Sequence, residues 1–338
     1  MDWFERLTGF REGGYEETRS RLAVANGRLR SLVNEKSYAI GDFELVSLKE
    51  LRARLPSDGD GSERLRVSIV QGDVRRMHQE PLYRGALFQV ASQFNALEMT
   101  GPSVTPEDGV TRYQYDRTQG PACAIAAGAA TIYRNYFTPV GDRVGQTRTH
   151  QLDGLSDLGG ALSECLGTPV ASLWEMRNGY ALCSRRGLDA IAAHLEGVGE
   201  AEIDSLRGLL RIGVQRDVQV TETTEESNQL VSQAFCSALP IAYTSIPAQY
   251  WRPFATLVLE AAYEATMCMA ALNRRRGASD VVLLTLLGGG AFGNEEGMIL
   301  RAIRRALAVT QDQSLDVKLV TYGPPSRGLQ ELARSLAG

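Results

Sequence analysis

A chain of 338 residues can bury a substantial core, in one large domain or in two. Its hydrophobic fraction of 43% and charged fraction of 22% are those of an ordinary soluble protein, and a net charge of -4 predicts no nucleic-acid partner. The N-terminus is charged from its second residue, and Glu260 and Glu264 interrupt the most apolar run, residues 254–272. We therefore predict no signal segment, no membrane span and no membrane partner.

Cysteine and histidine usage argues against a metal centre or a disulfide framework. The five cysteines are scattered and odd in number, and none of the three histidines has a cysteine or another histidine within four residues. We therefore predict no metal site and no Ser-His triad. Scattered free thiols suit a reducing compartment, so we expect cytoplasmic localisation. We also expect a monomer.

The N-terminal part predicts a helical extension packed on the core. Apolar residues recur at roughly helical spacing over 15–33: Tyr15, Leu22, Ala25, Leu29 and Leu32. Residues 39–45 look extended, and a second short helix is predicted at 48–55. The polar, glycine-rich loop 56–62 then separates the extension, residues 1–60, from a domain over 61–338.

Strands and helices alternate from residue 66 to residue 322. Strands are predicted at 66–71, 86–91, 211–214, 218–221, 234–239, 281–287 and 316–322, and helices at 121–137, 188–194, 200–210 and 254–274. The pair Asn178-Gly179 between apolar runs predicts a β-hairpin. This alternation predicts a three-layer α/β fold.

Polar residues directly follow two of these strands. Asp73 comes after Gly72 at the end of the first strand, and Gln93 and Asn95 follow the second. Open α/β sheets bind ligands outside the carboxyl ends of their strands, so these side chains are candidate ligand contacts. Asp73 can equally be read as a turn former after a glycine.

A loop of 22 residues, from Met99 to Gly120, carries the acids Glu107, Asp108 and Asp116. Ordered loops of this length in compact domains tend to be functional. Acids in loops rich in proline and glycine are also often no more than solvated groups, so that alternative remains open.

The stretch 281–294 combines a buried strand with a glycine loop. Gly288, Gly289, Gly290 and Gly293 let the backbone turn sharply and approach a ligand closely. We expect Asn294 to cap a helix that begins at the next residue. Strand, loop and helix together predict a phosphate site, and a tight turn without a ligand is the alternative.

A dinucleotide-binding fold and a P-loop fit these glycines poorly. The spacing G-x-G-x-x-G is met, but only one strand follows, and Asp316 begins that strand where the fingerprint places an acid at its end. No Lys-Ser or Lys-Thr pair follows the glycines, which excludes a P-loop.

The order of these motifs over about residues 66–325 resembles macrodomains. A closer resemblance is to the arginine-specific branch, and it rests on residues 107–111 and 116–121 together with the glycine loop. That branch is typified by a bacterial effector that removes ADP-ribose from ubiquitin. Two features depart from generic macrodomains. Residues 93–96 replace the usual Asn-Ala-Ala-Asn, and the acidic loop replaces the glycine-rich catalytic loop.

The resemblance implies a macrodomain-like α/β/α fold with a mixed sheet, and roles for particular residues. Asp73 would bind the adenine amino group, Tyr322 would lie against the adenine, and Phe292 would pack on the ribose. The diphosphate would bind the backbone of residues 288–293. The implied ligand-binding residues are Asp73, Val74, Gln93, Asn95, Gln119, Gly288, Gly289, Gly290, Ala291, Phe292, Gly293, Asn294 and Tyr322.

The resemblance further implies a hydrolase that removes ADP-ribose from arginine side chains, with Asp108 and Asp116 as catalytic residues. Glu107 is added as a third candidate and Glu98 as a weaker one. Carboxylates would stabilise the positive charge that grows on the ribose as the N-glycosidic bond breaks. The same acids would attract the guanidinium of arginine.

ADP-ribose and an arginine-ADP-ribosylated protein are thus the expected partners. No cofactor is required, although an acidic loop is compatible with Mg²⁺. The alternatives are a non-catalytic ADP-ribose reader and a dinucleotide or nucleotide-sugar oxidoreductase.

Overall fold

The computed structural model describes residues 1–56, 65–222 and 228–336. Most of the loop at 56–62, the predicted boundary, lies outside the described residues. The division into an extension, 1–60, and a domain, 61–338, therefore stays a prediction.

Helices and strands alternate along the chain. The helices are α1 (Trp3–Thr8), α2 (Tyr15–Ser20), α3 (Leu48–Arg54), α4 (Val74–Met77), α5 (Gln119–Ala126), α6 (Gly128–Tyr136), α7 (Ser156–Leu166), α8 (Val170–Leu173), α9 (Arg185–Gly197), α10 (Glu200–Gly208), α11 (Arg252–Arg275), α12 (Glu296–Val309) and α13 (Arg327–Leu336). The strands are β1 (Leu22–Ala25), β2 (Arg28–Ser31), β3 (Ser37–Ala39), β4 (Asp42–Ser47), β5 (Arg66–Gln71), β6 (Leu87–Ala91), β7 (Pro139–Val140), β8 (Arg143–Val144), β9 (Trp174–Arg177), β10 (Tyr180–Cys183), β11 (Arg211–Gln219), β12 (Leu230–Cys236), β13 (Val281–Leu284) and β14 (Asp316–Thr321).

A seven-stranded mixed sheet organises the described chain. Its strand order is β4-β11-β12-β6-β13-β14-β5. The strands from β12 to β5 are parallel. At one side, β11 pairs antiparallel with β12, and β4 pairs antiparallel with β11. The carboxyl ends of the parallel strands therefore meet at one edge of the sheet, where α/β proteins bind ligands.

Helices cover both faces of this sheet. Successive residues of a strand point to opposite faces. In β13, Val282 and Leu284 pack into the core cluster that includes α11 and α12, whereas Leu283 packs into the cluster with α4, α5 and α6. The predicted three-layer α/β/α arrangement is confirmed.

The long apolar helix α11 lies in the core, as predicted. Its length and composition would let it cross a membrane, yet 83% of its apolar window is buried inside the protein. The acids that interrupt it are ion-paired: Glu264 lies 2.6 Å from Arg52, and Glu260 lies 2.7 Å from Arg207. Buried charges paired in this way suit a protein interior.

The N-terminal segment is less helical than predicted. The helix expected over 15–33 ends at Ser20, and β1 and β2 form a hairpin around Asn26-Gly27. These two residues have φ angles of 51° and 68°, which an Asn-Gly turn adopts readily. Further along the chain, β4 joins the central sheet next to β11. The turn chemistry outweighs the helical spacing of the apolar residues.

Two further elements differ from their predictions. The helix expected over 121–137 breaks at Ala127, because Thr221 donates its N–H to Ala126 O and accepts from the N–H of Gly128, both at 2.8 Å. The strands expected at 211–214 and 218–221 form one strand, β11, with a register shift between Gln215 and Val218.

Candidate functional site

A gap between β6 and β13 opens a pocket at the carboxyl edge of the sheet. The two strands pair only through Val282 with Leu87 and Leu283 with Phe88, whereas β6 stays paired with β12 as far as Ala91. Beyond this pairing, the gap widens into a pocket of about 370 Å³, within the usual range for small-molecule sites. The described lining is Ala91, Ser92, Gln93, Glu98, Met99, Thr100, Asp116, Arg117, Thr118, Gln119, Pro121, Tyr180, Ala238, Tyr243, Thr285, Leu286, Leu287, Gly288, Gly290, Ala291, Phe292 and Tyr322.

The glycine loop forms one wall of this pocket. The strand predicted over 281–287 ends at Leu284, and the chain turns at Gly288 with a φ of 74°. The N–H groups of Gly289, Gly293 and Asn294 are bound within the loop, to Leu286 O, Gly290 O and Gly288 O at 2.9–3.0 Å. These bonds hold the loop in shape.

Four other N–H groups of the loop are free. Within the described chain, the backbone N–H groups of Gly288, Gly290, Ala291 and Phe292 have no hydrogen-bond acceptor, and all four residues line the pocket. Unpaired backbone N–H groups on a glycine loop form a concave site for an anion such as phosphate. The predicted phosphate site therefore has available donors.

Asn294 supports the loop from behind and does not cap a helix. Helix α12 begins at Glu296 with Glu295 at its cap, contrary to the predicted cap. The buried Asn294 side chain donates to Leu239 O at 2.9 Å and to Gly288 O at 3.4 Å. Asn294, Gly289 and Gly293 lie outside the described pocket lining and maintain the loop.

Among the three main predicted catalytic acids, Asp108, Asp116 and Glu107, Asp116 lines the pocket. One carboxylate oxygen accepts the N–H of Thr118 at 2.8 Å, which orients the side chain just before α5. Within the described residues the other oxygen has no hydrogen-bond donor, so it is available to water or to a ligand. Asp116 and the free N–H groups of the glycine loop thus share one pocket.

Glu107 and Asp108 bind neighbouring backbone and lie outside the described lining. Asp108 accepts from the Thr105 N–H at 2.8 Å and from the Thr105 hydroxyl at 3.0 Å, capping a short 3₁₀ turn. The Thr105 N–H holds the pKa of this exposed carboxyl below its usual value. Both oxygens of Glu107 accept from the N–H of Arg148, at 2.8 and 2.9 Å. Their predicted catalytic roles stay predictions.

The predicted adenine contacts lie at the β5 side of the sheet edge. Tyr322 follows β14, lines the pocket and is 85% exposed. Asp73 follows the adjacent strand, β5, and its side chain caps α4 by accepting the backbone N–H of Arg75. It lines a separate depression with Arg75 and Arg76. Val74 is buried in the core beneath. A nucleotide that reaches Asp73 would have to extend past Tyr322.

The predicted amide contacts have structural partners. Gln119 accepts from the Ala91 N–H and donates to Gln89 O, both at 2.8 Å. These bonds satisfy backbone groups of β6 at the point where β13 no longer pairs with it. Gln93 accepts from Met99 N–H at 2.6 Å, and Asn95 donates to Gln151 at 2.8 Å. Gln93 and Gln119 line the pocket, whereas Asn95 lies outside the described lining.

A buried ion pair joins a pocket residue, Glu98, to Arg134 behind it. Both oxygens of Glu98, which lines the pocket, lie 3.1 Å from one guanidinium nitrogen of Arg134, and both side chains are fully buried. Arg134 also donates to Ala96 O at 2.9 Å and to Gln215 at 3.0 Å. Burial raises the pKa of Glu98 to about 7, against the pull of Arg134.

An aromatic cluster in the pocket was not predicted from the sequence. Tyr180, Tyr243 and Phe292 have ring centroids 5.1–5.6 Å apart. Tyr180 donates its hydroxyl to Met99 O at 2.7 Å, which attaches the hairpin β9–β10 to the start of the acidic loop. The three residues come from distant segments, and no motif connects them. They give the pocket an apolar wall beside the glycine loop.

We predict that Gly288→Ala destabilises the protein and Gly290→Ala does not. A Cβ at Gly288 would lie 2.5 Å from Ala238 Cβ and would require a left-handed backbone, whereas nothing lies within 4 Å of a Cβ at Gly290. The expected loss of unfolding free energy is about 1–3 kcal/mol for Gly288→Ala and below about 0.5 kcal/mol for Gly290→Ala. Urea denaturation measures both, and equal midpoints for the two variants would contradict this reading of the loop.

Comparisons with known proteins find matches among solved structures. No protein-family model matches it, and no curated protein matches it. Among solved structures, a mutant poly(ADP-ribose) glycohydrolase from Deinococcus radiodurans in complex with ADP-ribose has 12% identity, a TM-score of 0.45 and coverage of 87% of this chain and 93% of its own. The enzyme from Thermomonospora curvata has 10% identity, a TM-score of 0.46 and coverage of 91% and 93%.

One prediction is corrected by these comparisons. The sequence motifs resemble the arginine-specific macrodomain branch, but the solved structures that match the chain are described as poly(ADP-ribose) glycohydrolases. The assignment to the arginine-specific branch is therefore wrong. The likenesses concern the course of the backbone and assign no role to a residue of the pocket.

Proposed function

We propose that the pocket binds ADP-ribose and that the chain hydrolyses the glycosidic bond between the distal ribose and its carrier. The observation that carries the proposal is the meeting of two features in one pocket: four unpaired backbone N–H groups of the glycine loop and the carboxylate of Asp116. The first suits a diphosphate and the second suits a sugar that develops positive charge. The aromatic wall offers apolar contact to the rings of a nucleotide.

Asp116 performs the chemical step in this proposal. A water oxygen bonds to the anomeric carbon as the bond from that carbon to the carrier breaks, and the water proton passes to Asp116 and then to the leaving group. Positive charge builds up on the ribose before the new bond is complete, and the carboxylate stabilises it. The free oxygen of Asp116 is available to orient the water.

The second part of the proposal concerns the carrier, the group to which the ADP-ribose is attached. An arginine carrier was implied by the resemblance to the arginine-specific branch, and the acids of the long loop were expected to attract its guanidinium. Of those acids, Asp116 lines the pocket, and Arg112 and Arg117 line the adjoining depression with it. The electrostatic preference for a cationic carrier is thus weaker than the sequence predicts, so both arginine-linked and oxygen-linked substrates belong in the test.

A non-catalytic reader is the second candidate, and a specific observation favours it. Glu107 and Asp108 are engaged by neighbouring groups and lie outside the described pocket lining, which leaves Asp116 as the one of the three predicted acids in the pocket. A reader needs the glycine loop and the aromatic wall but no carboxylate at the ribose.

The experiment combines binding and turnover. Calorimetry with ADP-ribose tests the pocket, and release of ADP-ribose is followed from arginine-ADP-ribosylated protein and from poly(ADP-ribose). Binding with release from either substrate supports the proposal and identifies the carrier. Binding without release from both identifies a reader. Absence of ADP-ribose binding would contradict both.

A further inference from the structure

A group of three metal-ligating side chains lies away from the pocket. Cys165 near the end of α7, His194 in α9 and Glu202 in α10 place one ligand atom each within 4.8 Å of one another. None of the three lines the pocket described above. They are 29 and 8 residues apart along the chain, so no short motif reveals them.

The ring nitrogen of His194 lacks a satisfactory partner. Within the described residues, Nε2 of His194 is buried and has no hydrogen bond. The nearest carboxylate oxygen, Oε1 of Glu202, lies 3.4 Å away. Buried polar atoms are normally satisfied, so an unpaired imidazole nitrogen beside a thiol and a carboxylate requires an explanation.

The separations suit a tetrahedral metal ion. Nitrogen and oxygen ligands at normal Zn²⁺ distances lie about 3.4 Å apart around a tetrahedral centre, and sulfur and nitrogen ligands about 3.6 Å apart. The His194–Glu202 distance already matches, and Cys165 needs an approach of about 1.2 Å at most. The exposed Cys165 side chain has room to move.

We propose that Cys165, His194 and Glu202 form a Zn²⁺ site with a water molecule as the fourth ligand. Thiolate, imidazole and carboxylate together favour zinc over hard cations such as Mg²⁺ and Ca²⁺. Bound zinc connects α7 to α9 and α10, three helices on one side of the sheet. The ion stabilises this helical layer, and the site is independent of ADP-ribose hydrolysis.

The first test is a metal titration of metal-free protein. Zn²⁺ is added in competition with a chelating indicator, and Co²⁺ is added as a spectroscopic probe whose charge-transfer band reports a thiolate ligand. We expect one equivalent to bind. Loss of a residue that merely supports a metal ligand commonly weakens binding by 10–100-fold, so Cys165→Ser, His194→Ala and Glu202→Gln should each weaken it by at least about tenfold.

The matched controls are Glu164→Gln and His150→Ala, which alter an exposed acid next to Cys165 and a histidine outside the cluster. Both should bind zinc as the wild type does. Sub-stoichiometric binding by the wild type would overturn the proposal. Unchanged affinity in His194→Ala and Glu202→Gln would also overturn it, because the metal would then bind a lone thiol.

A second test measures alkylation of the Cys165 thiol in the native protein. Cys165 is exposed, whereas the other four cysteines are buried, so mild alkylation of native protein reports on Cys165. Zn²⁺ should slow this alkylation and raise the Tm of the wild type, and should do neither in His194→Ala. Equal alkylation rates with and without Zn²⁺ in the wild type would contradict the site.

Discussion

Asp116→Ala is expected to lower the rate of ADP-ribose release at least about a hundredfold, because it removes the free carboxylate oxygen in the pocket. The affinity for ADP-ribose should change little, since the glycine loop N–H groups remain. Asp116→Asn should lose nearly as much activity, because an amide can accept the Thr118 N–H but carries no charge. Single-turnover release and calorimetry measure the two quantities separately.

Two further variants serve as comparisons for Asp116→Ala. Asp142→Asn removes an acid whose side chain is 90% exposed, and its release rate should equal that of the wild type. Asp108→Asn tests the second predicted catalytic acid. Since Asp108 caps a 3₁₀ turn outside the described pocket lining, its loss should reduce turnover less than the loss of Asp116. Full turnover by Asp116→Ala would exclude Asp116 from the chemistry.

Above pH 7, Arg134→Met is expected to cost about 3–5 kcal/mol of unfolding free energy, because it leaves Glu98 buried without its partner. The guanidinium also stacks on Phe235 at 3.8 Å and bonds Ala96 O. The double variant Arg134→Met with Glu98→Gln should recover part of this loss, since the uncompensated charge is gone. Urea denaturation measures all three proteins. A loss below about 1 kcal/mol for Arg134→Met would contradict this reading of the ion pair.

The cost of Arg134→Met should depend on pH. Glu98 has a raised folded-state pKa of about 7, so its contribution to stability is present at acid pH and is lost as pH rises through that value. Removing Arg134 raises the pKa further, because the guanidinium lowers it. Below pH 7 both proteins fold with Glu98 protonated, and the difference between them should be constant. Above pH 7 the difference should grow.

The pattern of buried strands was predictable, and local turn chemistry was the main source of error. The strands β5, β6 and β14 and the hairpin at Asn178-Gly179 lie where the sequence predicts them. The same Asn-Gly pair at Asn26-Gly27 forms a hairpin where the spacing of the apolar residues had predicted a helix. The break at Ala127 depends on Thr221, which is distant in the chain.

The candidate site was predictable only where one segment builds it. The glycine loop is contiguous, so the segment could be located from the sequence alone, but the sequence did not indicate that the N–H groups of Gly289, Gly293 and Asn294 are bound within the loop. The acids of the long loop are similar in sequence context but lie in different places. Asp116 lines the pocket, whereas Asp108 and Glu107 bind nearby backbone. Tyr180 and Tyr243 reach the pocket through tertiary packing, and nothing in their neighbouring residues indicates it.

A crystal structure with ADP-ribose bound tests the central claim most directly. We expect the diphosphate to accept hydrogen bonds from the N–H groups of Gly288, Gly290, Ala291 and Phe292, with the distal ribose facing Asp116. A diphosphate bound elsewhere, or a distal ribose beyond the reach of Asp116, would contradict the account.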